Sequence, residues 1–386
     1  MKAEGFIAGR LRFKGRVAVA ATAISFFIII LSVCIAEGFS REIRKGAAAI
    51  TGDVLITDRG GNFFGVSDPI PSDPSFAESV KAVHGVEGLT PIICRSGIIR
   101  KGDEIRGVMF KGTDADTVSM GARIPSALAS SLGIHVGDKI QAWFISDRIK
   151  VRKFTVTGIF DSLIDSDEGL IIRTSAADMR RLNGWDSSEA SALEVSLSPS
   201  SRDRRSMKAV TREIGSIVAA SPDDEENGLG ALSAADRFPQ LFDWLDLIDY
   251  NVIAILVLMT VVAGFNMVSG LLILLFRNIS TIGTLKTLGM KDRSIAGVFL
   301  RIGARISLRG MLTGNAAALI FCAVQGLTRL IRLDPANYFI SFVPVSINPL
   351  RILLTDAAAF VAIQLLLLIP SLFISKIDPS LTVKAE

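Results

Sequence analysis

The sequence is poor in the residues that usually carry covalent cross-links, metal ions or catalysis. Its 386 residues include three cysteines and two histidines. Cys34 and Cys322 lie in apolar stretches, so Cys94 has no internal disulfide partner in the polar block between the first two stretches. The cysteines have no metal-ligand spacing, and we interpret them as small apolar residues. His84 and His135 are interpreted as domain-surface or otherwise satisfied side chains.

Motifs for nucleotide hydrolysis and common hydrolytic chemistry do not occur in this sequence. Residues 97–102 have the glycine spacing of a phosphate-binding GxxxxGK[ST] loop, but Asp103 stands where the lysine must be and would repel phosphate. Neither a GxSxG elbow nor an HExxH motif is present. We therefore predict no enzyme activity, no cofactor and no metal in this chain. A carboxylate cluster without a glycine-centred calcium loop is interpreted as a solvated loop: Asp161, Asp165, Asp167 and Glu168.

Apolar residues are abundant. The hydrophobic fraction is 49% and the mean hydropathy is +0.46, which is too apolar for an ordinary soluble protein of this length. Because a bilayer core needs about 20 residues of helix, four uncharged stretches of about 19 or more residues predict membrane spans: 17–36, 251–276, 310–328 and 357–375. The first stretch exceeds the apolar core of a usual signal peptide, so a retained helix is favoured over a cleaved leader.

The basic residues predict the orientation of the chain. The net charge is +4 and the pI is about 9.0, which raises nucleic-acid binding as a hypothesis. However, Arg10, Arg12, Lys14 and Arg16 precede the first span with only Glu4 opposing them. This positive-inside pattern predicts a cytoplasmic N-terminus. Four spans then place the large polar block outside and return the C-terminus to the cytoplasm, with no nucleic-acid partner.

A short segment just after the second apolar stretch carries the most informative pattern, Ile-Gly-x-x-Lys-x-Leu-Gly, at residues 282–289. A helix of this size is marginal in water by itself, so we expect it to pack on a partner just outside the membrane. The pattern resembles the coupling helix of FtsX/MacB-type ABC transporter permeases. The resemblance extends over the chain and points to the lipoprotein-releasing, LolC/LolE-type branch. It implies ATPase-coupling roles for Ile282, Gly283, Leu285, Lys286, Leu288, Gly289 and Met290. A juxtamembrane turn without functional consequence is the alternative.

The resemblance implies an α-helical membrane protein with four transmembrane helices. A large α+β extracytoplasmic domain, similar to the MacB periplasmic core, is inserted between helices 1 and 2. The predicted parts are a cytoplasmic segment at 1–16, transmembrane helices at 17–37, 251–276, 301–330 and 352–375, a cytoplasmic coupling-helix region at 277–300, a periplasmic loop at 331–351 and a cytoplasmic tail at 376–386. The periplasmic domain, 38–250, is predicted to have a first lobe of 38–112 and 193–250 and a second lobe of 113–192. Within it, the residue pattern predicts a hairpin of 98–100 and 105–108 around Gly102 and Asp103, two strands at 138–145 and 151–160, and a stalk helix at 236–250 that leads into the second span.

Polar and small residues at the spans predict further contacts. Asn266 is a polar residue in the second span, which usually faces protein rather than lipid. Gly310 and Gly314 form a GxxxG pair, which lets helix backbones approach closely in lipid. We expect these three residues in helix packing or a subunit interface. The four-residue spacing of Arg301, Arg305 and Arg309 places them on one helix face, where they snorkel to, or bind, lipid headgroups at the inner leaflet.

Two departures from the family pattern qualify the resemblance. LolC-type subunits have a long projecting loop that grips the periplasmic lipoprotein chaperone, whereas here a tight turn around Asp147 joins the two strands. This argues against direct chaperone docking and favours a LolE-like role. Family members commonly have an acidic residue five positions before the Ile-Gly pair, where this chain has Arg277. The outer loop, residues 333–349, resembles the lipoprotein-releasing branch more than drug-efflux relatives.

The implied function is that of a permease subunit in an ATP-driven, mechanotransmission-type ABC transporter that releases lipoproteins from the bacterial inner membrane. The implied partners are a LolD-like ATPase that binds ATP and Mg, a second permease copy or paralogue, lipoprotein cargo and membrane lipid. Three alternatives remain. A MacB-like exporter usually carries an N-terminal ATPase, and an FtsX-like signalling subunit usually has a smaller exported domain. A membrane-anchored binding protein would have no ATPase.

Overall fold

A computed structural model describes residues 16–59, 68–101, 104–145, 149–160, 170–223, 226, 228–334, 338 and 340–371. The chain divides into two compact units. Unit 1 comprises Met1–Phe39, Asp246–Ile331 and Val343–Glu386, and unit 2 comprises Ser40–Leu245 and Arg332–Phe342.

The elements are numbered in chain order. From the N-terminus to the middle of the chain they are α1 (Arg16–Thr51), β1 (Val54–Asp58), β2 (Ile70–Pro71), α2 (Ala77–Lys81), β3 (Val86–Lys101), β4 (Glu104–Thr113), β5 (Gly121–Pro125), α3 (Ser126–Leu132), β6 (Lys139–Phe144), β7 (Lys150–Phe160) and β8 (Ile171–Ser175). The remainder are α4 (Ala176–Asn183), β9 (Glu189–Ala190), β10 (Ala192–Leu197), a 3₁₀ turn (Pro199–Ser201), α5 (Arg204–Ala219), β11 (Leu229–Ser233), α6 (Ala234–Arg237), α7 (Pro239–Arg277), α8 (Ile279–Thr287), α9 (Asp292–Thr328), α10 (Pro349–Leu366) and α11 (Leu368–Ser371).

Unit 1 is helical. In the part of the chain that the structure describes, four helical segments are long and apolar enough to cross a membrane: Arg16–Thr51, Pro239–Arg277, Asp292–Thr328 and Pro349–Ser371. Their buried side chains form one apolar cluster, with members such as Phe26 of α1, Leu271 of α7, Phe299 of α9 and Ile363 of α10. Four apolar spans were predicted from uncharged length alone, and the described residues contain four such helices.

The third long helix extends beyond the membrane span predicted for it. The expected span was 301–330, preceded by a coupling region of 277–300, but α9 already begins at Asp292. Ile295, Val298 and Phe299 are buried at three- and four-residue spacing, so this first part of α9 contributes an apolar stripe to the cluster of unit 1. Packing of that stripe extends the helix nine residues before the predicted boundary.

One half of unit 2 is a four-stranded antiparallel sheet in the order β11-β1-β10-β3. Helix α5 supplies a buried stripe to this half at helical spacing: Met207, Val210, Ile214 and Val218. Asp203 begins the helix, because its side chain accepts hydrogen bonds from the backbone N–H groups of Arg205 and Ser206. Strand β11 was not predicted from the sequence.

The other half of unit 2 is a closed six-stranded barrel. Its strands pair in the order β3-β4-β8-β5-β7-β6, and β6 returns to β3 with Ile99 opposite Ala142. Closure removes the unpaired edges of an open sheet. Three phenylalanines pack in its interior: the ring centroids of Phe110 and Phe154 are 5.0 Å apart, and those of Phe110 and Phe144 are 4.9 Å apart. The predicted hairpin is present, with Lys101 paired to Glu104.

The division of unit 2 differs from the predicted lobes. Residues up to 112 were assigned to the first lobe, but Ile93, Ile99, Val108 and Phe110 lie in the barrel core. The reason is that β3 is a 16-residue strand shared by both halves. Its first part pairs with β10 and its last part with β4 and β6. The predicted stalk helix at 236–250 is also interrupted, because α6 ends at Arg237 and α7 begins at Pro239.

Candidate functional site

The short helix α8 begins where the second span ends. Asn278 separates the two helices with a non-helical backbone (φ −116°, ψ 24°). Its side-chain amide donates a hydrogen bond to the carbonyl oxygen of Leu274 at 2.7 Å, which satisfies one of the last carbonyls of α7. Asn278 therefore ends one helix and starts the next without a loop between them.

The C-terminus of α8 is closed by a glycine in the left-handed conformation. Gly289 has φ +82°, and its N–H donates to the carbonyl oxygen of Lys286 at 2.9 Å. The N–H of Met290 donates to the carbonyl oxygen of Leu285 at 3.0 Å. These two bonds form a Schellman motif. A Cβ atom on Gly289 would meet no atom within 4 Å, so the glycine is required by its backbone conformation and not by space.

Most residues predicted to couple the chain to an ATPase face the chain's own interior. Ile282 is fully buried and Gly283 is buried, while Leu285 and Met290 pack against the apolar cluster of unit 1. The Lys286 ammonium lies 3.0 Å from a carboxylate oxygen of Asp292, and its side chain is only 10% exposed. The residues of the Ile-Gly-x-x-Lys pattern therefore hold α8 against the rest of unit 1.

A different set of residues is available to a partner. We define the outer face of α8 as its exposed side chains opposite Ile282: Ser280, Thr281, Thr284, Thr287 and Leu288. Leu288 is 78% exposed. The hydroxyls of Thr284 and Thr287 donate to carbonyl oxygens of α8 itself, at 3.0 Å and 2.8 Å. The outer face is therefore uncharged, and Leu288 is its large exposed apolar side chain.

Of the predicted coupling residues, only Leu288 belongs to the outer face, and Gly289 is exposed just beyond it. The remaining outer-face residues were missed by the sequence analysis. The apolar spacing of Ile282 and Leu285 was the available signal, since apolar residues three apart mark the buried stripe of a short helix and leave the opposite side exposed.

The predicted GxxxG pair packs inside the chain. A Cβ atom on Gly310 would lie 2.7 Å from Cβ of Thr22 and 3.2 Å from the carbonyl oxygen of Val19, both on α1. A Cβ atom on Gly314 would overlap the carbonyl oxygen of Ala23. The two glycines therefore allow close contact between α1 and α9. Of the two roles expected for them, this contact corresponds to helix packing within the chain.

Asn266, unlike the two buried glycines, lies on an exposed helix face. It is exposed on α7, next to Phe265, which is 65% exposed. The most apolar part of α7 is only 17% buried, compared with 28–39% for the other three spans. Of the four helices, α7 therefore has the smallest buried share in its most apolar stretch, and a polar amide lies among the exposed side chains.

The three arginines at the start of the third span share an exposed face, as their spacing predicted. Arg301, Arg305 and Arg309 are exposed, whereas Ile302 and Ser307 on the other side of α9 are buried. The exposed face leads into Leu308 and Leu312, which are 43% and 58% exposed.

The structure also shows polar contacts inside unit 1 that the sequence analysis missed. Asp356 of α10 is buried, and one of its carboxylate oxygens accepts a hydrogen bond from the Asn315 amide of α9 at 2.5 Å. Arg351, at the start of α10, contacts Glu37 of α1 and lies 4.0 Å from Asp249 of α7. The sequence signal for the contact between Asp356 and Asn315 was the single charged residue, Asp356, one turn into the predicted fourth span.

Among the described residues, no group of three or more histidine, cysteine or acidic side chains could hold a metal ion. Several predicted features lie outside the described residues: the acidic cluster Asp161, Asp165, Asp167 and Glu168, the turn residue Asp147, the basic residues Arg10, Arg12 and Lys14, and the tail 376–386.

Comparison with known proteins places the chain in context. Residues 253–379, which include α8, match the family model of the FtsX-like permease C-terminal domain. The lipoprotein-releasing system transmembrane protein LolC of Neisseria meningitidis serogroup B is 22% identical over 423 residues, covering 98% of this chain and 95% of that protein. The corresponding LolE of Haemophilus influenzae is 20% identical, covering 93% of this chain and 91% of that protein. LolC and LolE relatives thus match at similar identity.

Two solved structures show a distant likeness to part of the chain. The periplasmic region of MacB from Actinobacillus actinomycetemcomitans aligns with 52% of this chain and 95% of its own length, at 14% identity and a TM-score of 0.30. The extracellular domain of the ABC-type transporter YknZ from Gram-positive bacteria aligns with 47% of this chain at a TM-score of 0.28. The family recognised in the sequence is confirmed by the relatives and the family model: the chain carries an FtsX-like permease domain and is related along most of its length to the LolC and LolE transmembrane proteins.

Proposed function

We propose that this chain is a transmembrane permease subunit of an ATP-driven ABC transporter of the mechanotransmission type, which releases lipoproteins from the bacterial inner membrane. The observation that carries the proposal is α8, a short helix fixed between two spans with an uncharged outer face and an exposed Leu288. Its position in a domain that matches the FtsX-like permease model supports a coupling role.

The outer face of α8 is the surface we assign to a separate, LolD-like ATPase. Ile282 and Lys286 hold the helix against unit 1, so a push on the outer face is passed to the spans instead of unfolding a lone short helix. ATP and Mg would be bound by that partner. This chain has no GxxxxGK[ST] sequence and needs no catalytic residue, because release breaks no bond in the cargo.

Two helices offer a route from the membrane to unit 2. Helix α1 has 36 residues and α7 has 39 residues, which correspond to about 54 Å and 58 Å at 1.5 Å per residue. A bilayer core is about 30 Å thick, so each helix continues well beyond it. We call these extensions the stalks, and propose that they carry movement of the spans to the domain that handles cargo.

The orientation proposed is N- and C-termini in the cytoplasm and unit 2 in the periplasm. The basic residues before α1 support it, because cytoplasmic ends of spans are enriched in lysine and arginine. Arg301, Arg305 and Arg309 then lie at the cytoplasmic end of α9. Each can contact an anionic lipid headgroup, and the electrostatic attraction to an anionic surface contributes about 1 kcal/mol of binding free energy per arginine.

A second permease, either a copy or a paralogue, is proposed to cover α7. The support is the low burial of this span and the exposed amide of Asn266, since a polar side chain in hydrocarbon usually faces protein. Lipoprotein cargo is proposed from the LolC and LolE relatives. A MacB-like export permease or an FtsX-like signalling subunit is the second candidate, because the matched family model is named for FtsX-like permeases and not for lipoprotein release.

The test is affinity purification of the full chain from detergent-solubilised membranes, followed by mass spectrometry. Leu288→Asp and Thr284→Arg change the outer face and leave the buried side of α8 intact. Val136→Asp is the matched control, because Val136 is 61% exposed in unit 2. We expect wild type and control to retain an ABC ATPase and both outer-face variants to lose it, with unchanged melting temperatures.

The cargo that co-purifies distinguishes the candidates. Lipoproteins support the releasing function, other exported substrates support a MacB-like exporter, and a cell-wall hydrolase supports an FtsX-like regulator. If both outer-face variants retain the ATPase at wild-type level, the assignment of the outer face is wrong. If wild type retains no ATPase, the transporter proposal itself is wrong.

A further inference from the structure

The chain between the third and fourth spans folds back onto the first span. Gln325, near the end of α9, is 97% buried and organises this return. Its side-chain amide donates to the carbonyl oxygens of Ile331 and Val343, at 3.3 Å and 3.1 Å, and its oxygen accepts from the N–H of Ile331 at 3.1 Å. The Gln325 side chain thus joins Ile331 and Val343, the residues on either side of 332–342.

The segment that follows, 343–351, contacts α1 through its backbone. The N–H of Ser346 donates to the carbonyl oxygen of Cys34 at 3.0 Å. At Gly38 the approach is closer still: a Cβ atom there would overlap the carbonyl oxygen of Pro344 and lie 2.7 Å from the backbone nitrogen of Val345. Only glycine allows this approach without displacing the segment.

The same segment ends on an arginine that links both stalks. Arg351 donates from one guanidinium nitrogen to the carboxylate of Glu37 on α1, and its other terminal nitrogen lies 4.0 Å from Asp249 on α7. The Arg351 backbone N–H lies 3.3 Å from the side-chain oxygen of Asn348, which caps α10. The planar guanidinium can meet two carboxylates at once, whereas a lysine ammonium presents a single point charge.

We propose that residues 343–351 form a clamp on the stalks and that Arg351 is its positioning residue. The inference rests on the proposed function, in which α1 and α7 carry movement out of the membrane. Gly38 and Ser346 hold the clamp on α1, and Arg351 joins α1 to α7 through Glu37 and Asp249 in the state described here. A separation of the stalks breaks at least one of these ion pairs, so the clamp sets how spans and stalks move together.

The geometry is supported by the position of the charges along the helices. Glu37 and Asp249 both belong to unit 1 and lie where each helix passes from apolar to polar sequence. The Glu37 side chain is 24% exposed and the Arg351 side chain 48% exposed. Such a half-exposed network can form and break during a cycle, whereas a fully buried pair would be costly to separate.

The test uses the full complex, with its ATPase, reconstituted in vesicles. Arg351→Glu places like charges beside Glu37 and Asp249, and a charge swap that adds Glu37→Arg and Asp249→Arg to it restores both opposite pairs. Arg41→Glu is the matched control, because Arg41 is an exposed arginine one turn further along α1. We expect Arg351→Glu to lower lipoprotein release per ATP hydrolysed by about fivefold, a typical size for coupling through a charge network. ATP hydrolysis should stay within about twofold, and the swap should restore release.

A second measurement reports on the clamp without any transport. Glu37→Cys with Arg351→Cys, treated with a short bifunctional maleimide, should cross-link within one chain, while the native cysteines are buried. Cross-linking without ATPase binding would overturn the proposed function but support the contact. Unchanged release per ATP in Arg351→Glu, or no rescue by the swap while the ATPase still binds, would overturn the clamp.

Discussion

Replacement of Lys111 should lower the stability of unit 2. Its ammonium lies 2.5 Å from a carboxylate oxygen of Glu194 and 3.3 Å from each of the carbonyl oxygens of Ala49 and Ile50. Those carbonyls belong to the last turn of α1, where the helix has no partners of its own. Lys111 therefore neutralises a buried carboxylate and caps the stalk helix with one charge.

The size of the effect follows from burial. The side chains of Lys111 and Glu194 are 6% and 13% exposed. Burial raises the pKa of Glu194, while Lys111 acts in the opposite direction. In Lys111→Met the carboxylate loses that partner and two helix carbonyls lose a donor. Removing one partner of a buried pair costs about 3–5 kcal/mol. For a domain of this size the melting temperature should fall by roughly 10 °C.

The assay is thermal unfolding of the full chain in detergent, followed by near-ultraviolet circular dichroism. Lys111→Met with Glu194→Gln should recover most of the loss, because the unpaired charge is gone. Lys81→Met is the control, since its pair with Glu78 lies at the surface and exposed pairs contribute little. An unchanged melting temperature in Lys111→Met, or a double variant no better than the single one, would refute the reasoning.

Three further predictions concern packing and pH. Gly314→Val should separate α1 from α9 and lower the melting temperature in detergent. Gly297→Val is the control and should not lower it, because a Cβ atom there meets no atom within 4 Å. Equal effects of the two variants would show that the loss of a glycine matters and the contact with α1 does not. Phe110→Ala should cost about 3–5 kcal/mol and weaken the near-ultraviolet signal of the barrel, and a loss below about 1 kcal/mol in urea unfolding would contradict the stacked core. Burial acts to raise the pKa of Asp203, but hydrogen bonds from Ser206 and Arg205 hold it below its ordinary value. Its contribution is therefore present above about pH 4 and is lost as the pH falls through the lowered pKa, so Asp203→Asn should be less stable than wild type at pH 7 and closer to it near pH 3, as measured by thermal unfolding.

The parts predicted best were those that depend on local sequence. The four spans follow from uncharged length, and the end of α8 follows from Gly289, because only a residue that tolerates positive φ closes a helix in this way. The hairpin of β3 and β4 was predicted from two apolar runs around Gly102 and Asp103. Each of these depends on interactions within a few residues.

The orientation of α8 shows where local reasoning stopped. The pattern from Ile282 to Met290 marked the helix, and the functional residues were taken from the pattern itself. Tertiary packing then turned Ile282 and Gly283 inward and left Thr284 and Leu288 outside. Helical spacing defines two faces, but which one meets the rest of the chain depends on the shape and position of the apolar cluster.

Sequence alone predicted four apolar helices long enough to cross a membrane, a large polar domain and the short helix after the second span, because hydropathy and family motifs are properties of contiguous residues. Only the tertiary structure decided that β3 joins a sheet to a closed barrel, that Gly310 and Gly314 pack on α1, and that Arg351 links both stalks. Those contacts join residues tens to hundreds of positions apart, and their pairing is selected by the packing of the whole fold instead of by any local preference.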